Sequence, residues 1–83
     1  MSELKVGYED RMVIEYFELK ERSHKLDEML DMWSRGMLDF TPKCSPDLLY
    51  AQLDVMRAYL RILGERARIE GIKLTYENQK QAK

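Results

Sequence analysis

Two apolar seams of the same period, separated by a glycine stop and a proline start, limit most tightly what this chain can fold into. In the first, Met12, Tyr16, Leu19, Ser23, Leu26, Leu30, Trp33 and Met37 step by four and three residues in strict alternation. In the second, Leu49, Leu53, Met56, Leu60, Leu63 and Ala67 do the same. That spacing lines one face of an α-helix and is the repeat by which helices pack lengthwise. Gly7 is placed to cap the first helix, with Glu9 and Asp10 at the positive end of its dipole. Gly36 supplies a left-handed stop, and Met37 is expected to fold back on the last turn. Ser45, Pro46 and Asp47 form a start signal, and Gly71-Ile72 repeats the stop. The spacing therefore predicts helices over about residues 8–35 and 46–70, each roughly 37–42 Å long at 1.5 Å per residue. A connector this short makes them antiparallel neighbours, so the fold class is all-α, a two-helix hairpin in one domain spanning residues 1–83. Counted back from the turn, Arg66 falls near Glu15 and Tyr16, Tyr59 near Ser23 and His24, and Gln52 near Leu30.

The segments outside the seams carry their own expectations. Leu38 and Phe40 in the connector are placed to plug the open end of the hairpin. After Gly71, Ile72, Leu74 and Tyr76 alternate with polar residues, a pattern open to docking on the hairpin or to pairing as a short strand. The wholly polar Glu77–Lys83 is expected to be disordered. Val13 and Phe17 on the first helix, and Val55, Tyr59, Ile62 and Ile69 on the second, sit beside the seams rather than in them. The plainer reading is a widened stripe on an ordinary helix. The sharper one is a surface that buries against another copy, with Val13, Phe17, Val55, Ile62 and Ile69 as the oligomer interface.

A chain of 83 residues builds a core that typically supplies only about 3–5 kcal/mol. One cysteine, Cys44, excludes an internal disulfide, and one histidine, His24, excludes a Cys/His zinc set. Self-association is the remaining route to added stability, so a homo-oligomer is expected, with no metal and no cofactor. The 15 acidic and 14 basic residues balance to a net charge of −1, which argues against indiscriminate binding of duplex nucleic acid. No apolar run reaches the roughly 18 residues that cross a bilayer, and the N-terminus lacks the apolar stretch of a secretion signal. The expectation is a soluble protein without membrane contact, in a reducing cytoplasm.

No catalytic constellation emerges. Cys44 precedes a helix start, but its only conceivable base, His24, belongs to the middle of the other helix. The carboxylates Glu15, Glu18, Glu21, Asp27, Glu28 and Asp31 interleave with Lys20, Arg22, Lys25 and Arg35 as a solvated helix face. No catalytic residues are assigned and the chain is read as non-enzymatic. The second helix stands out, because Arg57, Arg61 and Arg68 line one side around Gly64, with Tyr59 and Arg66 nearby. Guanidinium forks and aromatic faces grip phosphates and stack bases. A glycine inside a helix costs up to about 1 kcal/mol against alanine, which close approach of a ligand or helix offsets. The plainer alternative is a set of exposed ion pairs with Asp54, Glu65 and Glu70.

Two segments resemble a family of short proteins of tailed bacteriophages, including the crAss-like phages. They are Arg11-Met12-Val13-Ile14-Glu15-Tyr16-Phe17-Glu18-Leu19-Lys20-Glu21-Arg22, continuing to Lys25-Leu26, and Leu48 to Leu63 with Glu65-Arg66. The resemblance runs from about Tyr8 to Ile69. The family's pattern falls on Tyr16, Gln52, Met56, Tyr59 and Arg66, while Gly64, Ala67 and the long connector with Cys44 depart from it. The resemblance implies an accessory phage protein, a class rich in counter-defence factors, acting in the host bacterial cytoplasm. By analogy with other small helical phage proteins, the leading expectation is a homo-oligomer that sequesters a small cyclic nucleotide signal of host immunity. Its ligand-binding residues would be Tyr16, Gln52, Arg57, Tyr59, Arg61, Arg66 and Arg68, the arginines on phosphates and the tyrosines on bases. Because a narrow hairpin offers no pocket of its own, the ligand is expected between protomers. The alternative is an adaptor or inhibitor that docks its apolar helical face on a host or phage protein. A virion or assembly component is a third possibility.

Overall fold

A computed structural model describes residues 7–75 of the chain. It consists of α1 (Tyr8–Ser34) and α2 (Pro46–Glu70), packed along each other as an antiparallel hairpin. Among the described residues there is no strand. The all-α hairpin expected from the two seams is the observed fold.

The helix ends obey their sequence signals. The Ser45 hydroxyl accepts from the Leu48 N–H at 3.2 Å, with Pro46 just inside the helix where a missing N–H costs nothing. At the far end of α1, Gly36 takes φ +72°, its N–H donates to the Trp33 carbonyl at 3.0 Å, and the Met37 N–H reaches back to Met32 at 2.9 Å. That six-to-one closure is the Schellman arrangement. Gly71 repeats it, also at φ +72°, with the Ile72 N–H donating to the Ala67 carbonyl at 2.8 Å.

The two closures send the chain to different places. Ile72 is buried and joins Met12, Val13 and Ala67 in a core cluster, with Phe17 and Leu74 packed against it. The segment after Gly71 thus docks on the hairpin instead of forming a strand; Tyr76 and Glu77–Lys83 lie outside the described residues. This docking corrects the placement of Val13. At 2% exposure it has no surface to offer a second copy, because the returning chain covers the flank on which it stands. At the turn end the expected plug is only partial. Leu38 is half-buried, but Phe40 and Met37 are 55% and 62% exposed, since no described residue after Gly36 covers them.

Between the ends, the seams meet as expected. Leu30, Leu53 and Leu63 are essentially inaccessible, and each such side chain contributes about 1.5–3 kcal/mol of transfer free energy. Ser23, the polar member of the first seam, is buried with its hydroxyl donating to the Lys20 carbonyl at 2.9 Å, so no donor is left unmet. No helix among the described residues is long and apolar enough to cross a membrane.

Candidate ligand groove

The residues singled out on α2 do not converge. Gln52, Tyr59 and Arg66 recur every seven residues and so share one edge of the hairpin. On that edge the Tyr59 hydroxyl donates to the Glu15 carboxylate, and the Arg66 guanidinium donates to the Tyr8 hydroxyl and lies 3.7 Å from Glu70. Glu15 accepting that hydrogen bond holds the Tyr59 phenol above its usual range. The bond from Arg66 to Tyr8, with Glu70 beside it, raises the guanidinium further above its already high range. These contacts zip α1 to α2. Arg57 meets Asp27 within the expected register, whereas the side chains of this edge reach further along α1, Tyr59 to Glu15 and Arg66 to Tyr8. A count along the helix midline does not hold for long side chains that reach diagonally along the edge of the hairpin.

Of the other candidates, Arg68 is tied to Glu65, and Arg61 makes no ion pair among the described residues. Tyr16 is half-buried, its ring set edge-on to Phe17 at 5.3 Å between centroids and 88° between planes. Among the described residues, no atom beyond the helix's own backbone lies within 4 Å of where a Gly64 Cβ would be, so no close approach among them explains that glycine.

Arg57 is different. It projects to the opposite edge and pairs with Asp27 of α1 at 3.2 Å, both side chains about half exposed. Between them and the α1 surface runs an open groove of about 570 Å³ whose walls include Phe17, Lys20, Ser23, His24, Asp27 and Arg57. Phe17, Lys20, His24 and Asp27 succeed one another at helical spacing, three, four and three residues apart, so α1 presents them as one row. The Lys20 ammonium stands 5.9 Å from the Phe17 ring centroid and makes no ion pair among the described residues. Glu21 is paired with Lys25 at 3.4 Å, and the His24 Nε2 lies 3.2 Å from the Glu28 carboxylate. The site therefore offers one aromatic face, one unmatched cation over it, and one guanidinium across from it that an anion must win from Asp27. Sequence reading missed Phe17, Lys20 and His24 as a ligand row, although their spacing was visible in it.

Cys44 is exposed in the connector. A smaller crevice of about 250 Å³ at the turn end is lined by Leu30, Trp33, Ser34, Pro46 and Tyr50 and is almost wholly apolar.

No curated protein and no solved structure matches this chain. The model of one protein family, Sequestin, matches residues 7–69, which takes in both helices up to the last residue of α2 but one. With three quarters of its length under that match, the chain belongs to the Sequestin family.

Proposed function

We propose that this chain is a non-enzymatic accessory protein of a bacteriophage that acts in the host bacterial cytoplasm. As a homo-oligomer it sequesters a small phosphate-bearing signal of host immunity, a cyclic nucleotide being the class that best fits. The family name points to sequestration, and the resemblance of Arg11–Leu26 and Leu48–Arg66 to tailed-phage proteins supports the setting. The observation that carries the ligand class is the groove. An aromatic ring, a lysine held over it at 5.9 Å and a guanidinium on the facing helix are what a base and its phosphate require together.

In this reading a base lies on Phe17, which Tyr16 steadies edge-on, and a phosphate sits between Lys20 and Arg57. Of the arginines on α2 only Arg57 keeps a ligand role. Arg66 and Tyr59 hold the hairpin together, and Arg68 and Arg61 face elsewhere. Binding without chemistry is enough for sequestration, because lowering the free concentration of a signal silences its receptor.

A thermal-shift screen against cyclic dinucleotides, cyclic trinucleotides and cyclic ADP-ribose isomers tests the proposal. Ligand at 100 times its dissociation constant adds about 2.7 kcal/mol, and a domain of this size moves by about 4–8 °C per kcal/mol. One class should give a large shift that Lys20→Ala and Arg57→Gln abolish and Arg66→Ala retains. A flat panel, or a shift lost in Arg66→Ala and kept in Arg57→Gln, contradicts the assignment.

A further inference from the structure

The outer face of α2 carries a third seam that the hairpin does not use. Leu48, Ala51, Val55, Ala58, Ile62, Glu65 and Ile69 alternate by three and four residues along the whole helix. Its four large members are 60%, 67%, 54% and 69% exposed. Three heptads of this kind are a coiled-coil seam, and only Glu65 interrupts it with a polar group. The two alanines let a facing helix come close.

The charges beside the seam say what faces it. Asp47, Asp54, Arg61 and Arg68 also recur every seven residues, on one flank, with both acids in the first half and both bases in the second. Asp47, Asp54 and Arg61 make no ion pair among the described residues, and Arg68 has only its neighbour Glu65. Asp47 and Arg68 are equidistant from a point between Arg57 and Ala58, and so are Asp54 and Arg61. Leu48 and Ile69, and Val55 and Ile62, are equidistant from a point one residue further on. A face whose acidic half mirrors its basic half about its own midpoint is complementary to itself under a two-fold rotation.

We propose that two copies of this chain pair antiparallel through the outer face of α2, about a two-fold axis beside Ala58. Each Asp54 then meets the partner's flank at Arg61 and each Asp47 meets it at Arg68, while the apolar residues interdigitate between. The parallel alternative brings the flank of one helix against the Gln52, Tyr59 and Arg66 edge of the other, which sets Arg61 near Arg66 and gives neither aspartate a cation. Exposed pairs add little affinity, but they decide orientation. Val13 takes no part, being buried in the cluster with Ile72, and Phe17 stands on α1, at the edge of that cluster and of the groove. The pairing supplies the self-association that the proposed function includes, but stands on the α2 face alone and does not rest on the ligand.

Sedimentation of the full chain without ligand, over a concentration series, tests it. The chain should be dimeric, and Ile62→Glu should raise the dimer dissociation constant at least about thirtyfold with an unchanged helical circular dichroism spectrum. Asp54→Arg and Arg61→Asp should each weaken the dimer about three- to tenfold, and the double exchange should restore it. A monomer at every concentration overturns the proposal. So does a dimer indifferent to Ile62→Glu, tightening by Arg61→Asp alone, or failure of the double exchange to restore pairing. Because no ligand is present, none of these results bears on the groove, which its own titration decides.

Discussion

The two faces of α2 carry seams of the same period and similar side chains, yet they differ wholly in what covers them. On the inner face Leu53, Leu63 and Ala67 are exposed by 2% or less; on the outer face Val55, Ile62 and Ile69 are more than half exposed. Periodicity alone thus shows that a seam exists and leaves its occupant open. The flanks are what the proposed occupant rests on. The inner seam is bordered by Tyr59, Arg66 and Arg57, which reach across to Glu15, Tyr8 and Asp27 of the same chain. The outer seam is bordered by Asp47, Asp54 and Arg61, which make no ion pair among the described residues.

The largest expected effect sets the two faces apart directly. Leu63→Ala on the inner face should cost about 2–5 kcal/mol in denaturant titration, because it opens a cavity at a site with no exposure. Gly71→Ala should cost about 1–2 kcal/mol, since its φ of +72° is strained for any side chain, and should also loosen hydrogen-exchange protection around Val13. Gly64→Ala belongs to neither seam and meets open space, so it should stabilise the chain by about 0.5–1 kcal/mol. Asp27→Asn gives up an exposed ion pair worth at most about 1 kcal/mol but frees Arg57, so it should tighten ligand binding in calorimetry while barely moving the melting point. The smallest change is expected from Ile62→Ala, within about 0.5 kcal/mol when the chain is dilute enough to be monomeric. A cost as large as that of Leu63→Ala would erase the distinction between the faces.

Much of the fold was legible because its signals are local. Ser45-Pro46, Gly36 and Gly71 mark helix ends through backbone chemistry that needs no distant partner, and the seams need only the helix itself. What escaped was set by chain segments far apart in sequence. Val13 stands a full residue's turn from the Met12 seam position, and it is buried in a cluster that Ile72 joins after Gly71. Tyr59 and Arg66 have the composition of a ligand site, but the packing of α1 along α2 gives them to Glu15 and Tyr8. Phe17, Lys20 and His24 were readable as a row on α1. Their meaning as a groove depended on Arg57 arriving from α2, which no spacing within either helix reveals.

The most direct test of sequestration is to recover what the protein has bound. The chain would be incubated with the cyclic nucleotide that gives the largest thermal shift, freed of unbound ligand by gel filtration, denatured by heat, and the released nucleotide analysed by mass spectrometry. The account predicts near-stoichiometric ligand with its cyclic phosphodiester intact. Ligand released as a linear product, or none retained by the folded protein, would contradict it.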